Sequence, residues 1–156
     1  MYAWFLVEPA ALAGLPDPGS RPLYIGWSRD LSENLHTHLR NGGSGFSSLR
    51  RSLGALLREE LDLAARPRGR TAEDKNYRCY RFDEEGEQRL SEWMGRNLRV
   101  AIVEHADAED AEDAENALIT LARPPLNLAG WANPHAPVIR SLGRICADEA
   151  RRGFPR

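Results

Sequence analysis

The chain has 156 residues, 42% of them hydrophobic and 28% charged, with a formal net charge of −2. This composition suits one domain with an ordinary core, and no stretch approaches the ~20 apolar residues of a membrane span. The start carries no positive run ahead of an apolar segment, so the expectation is a soluble, cytoplasmic protein.

Cys79 and Cys146 lack any paired spacing, which argues against a zinc site or a disulfide framework and for buried thiols in a reducing compartment. The charge is unevenly spread. Up to Phe82 there are twelve Lys and Arg against nine Asp and Glu; beyond it, nine against fourteen. Ten of the first twelve basic groups fall between Arg40 and Arg81, a modest sign of a polyanionic partner that a solvated arginine-rich surface would equally explain.

In chain order, Tyr2 to Val7 reads as a strand, the Pro- and Gly-rich stretch from Leu15 to Pro22 as a loop, and Leu23 to Trp27 as a second strand, antiparallel to the first. Ser28 is suited to cap a helix carrying Leu31, Leu35 and Leu39, which Asn41-Gly42-Gly43 stops. Ser47 or Ser48 caps a second helix with a stripe of Leu49, Leu53, Leu56, Leu57 and Leu61. Arg66 to Lys75 reads as a loop and Tyr77 to Phe82 as a half-exposed strand. Glu84 to Asn97 is expected as a helix with Leu90, Trp93 and Met94 inward, and Leu98 to Val103 as a strand. An acidic helix then covers Ala108 to Ala122, and a last helix runs from about Pro137 to Arg152 through Val138, Leu142 and Ile145. The class is α/β (α+β): a small, mostly antiparallel sheet flanked by helices.

Two positions stand out chemically. Glu115 lies one helical turn from Ala111, Leu118, Ile119 and Ala122, on or beside the apolar stripe, where a carboxylate requires a cation, a metal or hydrogen-bond donors. A Glu at the stripe's edge, reaching outward or paired with an Arg, is the plainer alternative. Asn34 and His38 are four apart beside the first helix's leucines and would project together. A surface or core histidine would have the same spacing.

Tyr24-Ile25-Gly26, the helix start at Ser28-Arg29-Asp30-Leu31, His38, Glu115, and Asn127 in Pro124-Pro125-Leu126-Asn127 occur in an order that resembles the GIY-YIG nuclease superfamily. The likeness runs from Tyr2 to about Trp131 and extends to a bacterial subgroup of uncharacterised members. It implies a nuclease domain over residues 1–131 with a C-terminal helical extension over 132–156. The implied activity is metal-dependent DNA endonuclease hydrolysis around a single Mg²⁺ or Mn²⁺ bound by Glu115. Tyr24, His38, Glu115 and Asn127 would form the catalytic set, and no small-molecule cofactor or membrane is called for.

Two departures bear on activity. Phe5, in Ala3-Trp4-Phe5, stands where the resemblance puts the first-strand Tyr, and Asn34 stands where it puts the helix Arg. A neutral Asn offers no guanidinium to a phosphate, and losing one such group typically costs a factor of about a hundred or more. Arg29, Arg40 and Arg50 are candidates to supply the missing cation and, with Arg51, to contact nucleic acid. The resemblance thus implies either an endonuclease with impaired cleavage or a catalytically inactive module of the same fold that binds nucleic acid or protein.

Overall fold

The protein is described by a computed structural model covering residues 1–7, 12, 14–15, 19–30, 38, 43–68, 79–105 and 107–152. The helix expected from Leu31, with Asn34 and Arg40, lies outside the described residues except for His38, which is helical. The chain divides into two compact units: residues 1–35 with 95–136, and residues 36–94 with 137–156.

The first unit is organised around strand β1 (Tyr2–Leu6), which pairs antiparallel with β2 (Tyr24–Gly26) on one side and β5 (Leu98–Ile102) on the other. Tyr2 and Trp4 alternate inward and are buried, as the two-residue period of a strand requires. The same unit contains α3 (Ala108–Ala122), whose N-cap Asp107 accepts the Asp110 N–H and which ends on Arg123 in the left-handed conformation, φ 52°. Ala111 and Ile119 form its buried stripe, with Glu115 between them and half-buried.

The second unit contains α1 (Ser48–Leu56), a two-stranded antiparallel sheet of β3 (Ala65–Pro67) and β4 (Tyr80–Phe82), α2 (Glu84–Asn97) up to Met94, and α4 (Ala136–Arg152) from Pro137 onward. Ser47 caps α1 by accepting the Arg50 N–H, as expected. The leucine stripe outruns the helix, which stops at Leu56; the next turn closes through Asp62 with φ 48°.

Three readings of the sequence need correction. Residues 65–67 are a strand, although Pro67 and the surrounding polar groups suggested a loop; Pro is tolerated at the edge of a two-stranded pair. On α4, Val138 and Ile145 are exposed while Ile139, Cys146, Ala147 and Ala150 are buried. The buried face is rotated by about one residue because small side chains there let the helix approach Tyr80, whose hydroxyl comes within 3.7 Å of a Cβ built on Gly143. Finally, of the two cysteines only Cys146 is fully buried; Cys79 is partly exposed.

Arg50 is the least expected member of the core. It is 0% exposed and paired with Glu87 at 2.7 Å. Its guanidinium also donates to the His38 and Glu87 carbonyls and to Ser91 Oγ. Glu87 in turn accepts from the Ser44 N–H, Ser44 Oγ and the Phe82 N–H. One ion pair therefore ties the 43–47 turn, α1, β4 and α2 together, and removing either partner would strand a buried charge.

Gly54 on α1 lies so close to β4 that an added Cβ would sit 2.1 Å from Phe82 Cε2. An Ala in mid-helix usually stabilises by up to about 1 kcal/mol over Gly. Here overpacking against a fully buried ring reverses the sign, and Gly54→Ala is expected to destabilise by about 1–3 kcal/mol in urea unfolding. Unchanged or raised stability would contradict this packing.

Candidate active site

The site is built on β2 because that strand lies between β1 and a segment that mimics a further strand. On its inner side, β2 pairs with β1 in the register Tyr2↔Gly26, Ala3↔Ile25 and Trp4↔Tyr24. On its outer side, the Leu126 N–H donates to the Leu23 carbonyl. Asn127 then grips Ile25 with both ends of its amide: Oδ1 accepts the Ile25 N–H at 2.9 Å and Nδ2 donates to the Ile25 carbonyl at 2.9 Å. The turn carrying Asn127 is itself fixed. Trp131 Nε1 donates to the Pro124 and Asn127 carbonyls, and Asn133 Nδ2 donates to the Pro125 and Asn127 carbonyls.

The strand register decides which first-strand side chain meets Tyr24. Paired residues share a face, so Tyr2, Trp4 and Tyr24 lie together while Phe5, opposite Arg99, points to the other face. The Tyr2 and Tyr24 rings stack with centroids 6.4 Å apart and planes at 27°. The Tyr2 ring crosses over Gly26, where a Cβ would fall 2.6 Å from its hydroxyl. The glycine of the Tyr24-Ile25-Gly26 string thus has a local reason: it leaves room for the tyrosine of the neighbouring strand.

Glu115 faces the same region from α3. Its carboxylate accepts the backbone N–H of Trp27, the residue immediately after β2. Burial pushes its pKa up, partly offset by that hydrogen bond, and Glu112 pushes it further in the same direction. Among the described residues it makes no ion pair with Lys or Arg, although the Met1 ammonium is close enough to lower its pKa somewhat. The Tyr2 hydroxyl is held above the ordinary phenol range, first by burial and then by the proximity of Tyr24 and Glu115. Tyr24 and Glu115 thus both lie within electrostatic reach of Tyr2, whose hydroxyl stays protonated.

A cleft of about 330 Å³ adjoins this group, lined among others by Trp27, Ser28, Arg29, Glu104, His105 and Ala111. Trp27 is the residue whose N–H binds Glu115, and Ala111 lies one helical turn before it. Of the lining residues Arg29 alone is a Lys or Arg, and it is exposed.

The other predicted positions are distributed differently. His38 belongs to the second unit and is 4% exposed. Its Nδ1 lies 2.7 Å from Oγ of Ser47, the α1 cap, and burial, reinforced by Arg50, lowers its pKa to about 4. Arg50, expected to contact nucleic acid, is committed to the buried network with Glu87, because five donors in one plane can satisfy several carbonyls of a core turn at once. Arg51 donates to the Ser44 and Gly45 carbonyls. Arg40 and Asn34 lie outside the described residues.

Sequence reading passed over Tyr2. The signal was present in the alternation of Tyr2 and Trp4, but the pairing register that turns Tyr2 toward Tyr24 depends on contacts that no local pattern encodes.

Comparison with known proteins agrees with the order of these elements. The family model described as the GIY-YIG catalytic domain matches residues 7–144. That span includes Tyr24, Glu115 and Asn127 and leaves out β1 with Tyr2. No protein of curated function and no solved structure matches the chain.

Two outcomes test this architecture. Asn127→Ala leaves a buried N–H and a buried carbonyl of Ile25 without partners, and is expected to lower stability by at least about 2 kcal/mol in chemical denaturation. A loss under half of that would mean the clamp is dispensable. His38 titrates near pH 4 when folded and near its ordinary 6.5 when unfolded. The unfolded chain therefore binds the extra proton first, and stability present above pH 6.5 declines as the pH falls toward 4, by on the order of 3 kcal/mol. His38→Gln should remove that component from the pH dependence of the urea midpoint.

Proposed function

The chain belongs to the GIY-YIG catalytic-domain family, and from that premise we propose that it is a metal-dependent endonuclease that hydrolyses a DNA phosphodiester beside the cluster of Tyr24, Glu115 and the buried Tyr2. Family membership carries a nuclease-type function and a nucleic-acid substrate in general terms, and nucleases of this family generally use divalent metal ions. The observation that carries the finer reading is Glu115, a half-buried carboxylate near the Tyr2 hydroxyl that has no Lys or Arg partner among the described residues.

That carboxylate suits a divalent cation. Mg²⁺ commonly keeps most of its waters and uses one or two protein carboxylates, so the lack of any cluster of three or more His, Cys, Asp or Glu among the described residues is compatible with binding through Glu115 alone. When bound, such an ion supplies neutralisation of charge on the phosphate being cleaved. The protein's own groups do the rest. The protonated Tyr2 hydroxyl donates a hydrogen bond, and the Tyr24 hydroxyl orients the attacking water from the same face of the sheet. In this reading Tyr2 provides the first-strand hydroxyl that Phe5 lacks.

Arg29 takes the place of the cation that Asn34 does not supply. It borders the cleft beside Glu115, whereas the Arg50 guanidinium is consumed in the core. A guanidinium there can donate to two phosphate oxygens from its fork and favour the more highly charged transition state. Asn127 is a positioning residue, keeping β2 in register so that Tyr24 and the Trp27 N–H stay in place. His38 has a structural part, holding the Ser47 cap of α1 as a neutral imidazole.

The test is cleavage of plasmid and of short single-stranded and branched DNA in Mg²⁺ or Mn²⁺. Glu115→Ala is expected to abolish cleavage. Tyr2→Phe and Arg29→Ala should each lower the rate roughly a hundredfold, and Asn34→Arg should restore most of the loss caused by Arg29→Ala. DNA bound but uncut by the wild-type chain, with Asn34→Arg conferring no activity, would instead make it a non-cleaving binding module.

A further inference from the structure

The second unit displays one aromatic ring to solvent on a turn that is otherwise tightly held. Phe46 is 69% exposed. The residues around it are not: Ser44 and Ser47 are buried, and Gly45 is buried between the turn and Arg68. The turn is closed by the Phe46 N–H donating to the Gly43 carbonyl, with Gly43 at φ +71°. Glu87 accepts the Ser44 N–H at 2.7 Å, and Arg51 donates to the Ser44 and Gly45 carbonyls at 3.0 Å each. A flexible loop could fold its Phe inward and gain by burying it. This backbone is pinned on both sides, so the ring is held out.

Arg68 completes the arrangement. Its guanidinium carbon stands 3.9 Å from the Phe46 ring centroid, and its stem runs past Gly45, where an added Cβ would lie 3.2 Å from Cδ. Its backbone is anchored by the Arg68 N–H donating to the Cys79 carbonyl. Among the described residues Arg68 forms no ion pair with a carboxylate, whereas neighbouring Arg66 is paired with Asp83. The result is an exposed aromatic ring with a guanidinium held against it that, among the described residues, has no carboxylate partner. The chain around Arg68 is also basic, with Arg66, Arg68 and Arg70 close in sequence.

We propose that Phe46 and Arg68 form a binding site for an unpaired nucleotide: the base stacks on Phe46 and the adjoining phosphate meets the Arg68 guanidinium. Stacking on an aromatic ring tolerates any base, and an arginine beside it supplies the backbone contact, which is the usual combination in single-strand binding surfaces. A protein partner fits less well, since one ring flanked by a cation is a smaller apolar patch than docking surfaces present. The proposal rests on the reading of the chain as acting on nucleic acid, but it uses none of the residues assigned to cleavage. It gives the protein a preference for substrates with single-stranded or frayed segments.

The experiment is fluorescence anisotropy of the full chain with labelled single-stranded DNA and with a blunt duplex, in EDTA so that no cutting intervenes, across a salt series. Phe46→Ala is expected to weaken single-strand binding roughly tenfold and to leave duplex binding within about twofold, while Phe46→Tyr retains the wild-type affinity. Arg68→Ala should weaken binding and reduce the slope of log affinity against log salt by about 1. Urea midpoints of the variants check that the turn still folds. Equal single-strand affinity for wild type and Phe46→Ala would overturn the proposal, as would no DNA binding by the wild-type chain at low salt. Loss of cleavage in Glu115→Ala alongside unaltered binding in Phe46→Ala would remove this site and leave the proposed function standing. Phe46-dependent binding by a chain that never cuts would do the reverse.

Discussion

The first unit depends on a side-chain amide acting as a strand. Asn127 pairs with the N–H and carbonyl of Ile25 across 102 residues of sequence, in a place where water does not reach. Without it the outer edge of β2 would hold unsatisfied backbone groups, which is costly in a buried position. The clamp also settles geometry. The Pro124–Asn127 turn follows directly from α3, so fixing Asn127 on β2 also restrains the helix that carries Glu115 against the strand that carries Tyr24. A carboxylate on a helix and a hydroxyl on a strand are thereby held by hydrogen bonds rather than by packing alone, which suits a site whose reactive groups must keep their positions.

Electrostatics divides the basic residues into two kinds. Arg50 and Arg51 are used inside the second unit, one as a buried ion pair with Glu87 and the other tying down two carbonyls of the 43–46 turn. Arg29 and Arg68 keep their charge at the surface, one beside a cleft and the other over an aromatic ring. A count of Lys and Arg along the chain cannot make this distinction, although it decides which groups remain to meet a phosphate. His38 shows the same division: enclosed by the core and next to Arg50, it becomes a neutral hydrogen-bonding group at physiological pH.

Elements are legible locally where periodicity is long and its ends are marked. The helices at Glu84–Asn97 and Ala108–Ala122 match their expected limits, since acidic first turns and the Arg123-Pro124 stop are short-range signals. Glu115 stood out because a carboxylate among Ala111 and Ile119 is anomalous in any helical projection. The face of α4 and the strand at Ala65–Pro67 are not legible locally for the opposite reason: nothing in the neighbouring residues says that Gly143 will lie beside Tyr80, or that an isolated Pro will sit at a sheet edge.

The sequence by itself determined the family, most of the strands and helices in their order, and Glu115 as a carboxylate out of place beside an apolar stripe, while Asn127 followed from the family resemblance. Tertiary structure decided which tyrosine faces Tyr24, which arginines stay exposed, and why Gly26 is a glycine. The reason is physical. Helical and strand periods are set by neighbours a few residues away, whereas register, burial and ion-pair partners are set by groups that meet only when distant segments pack.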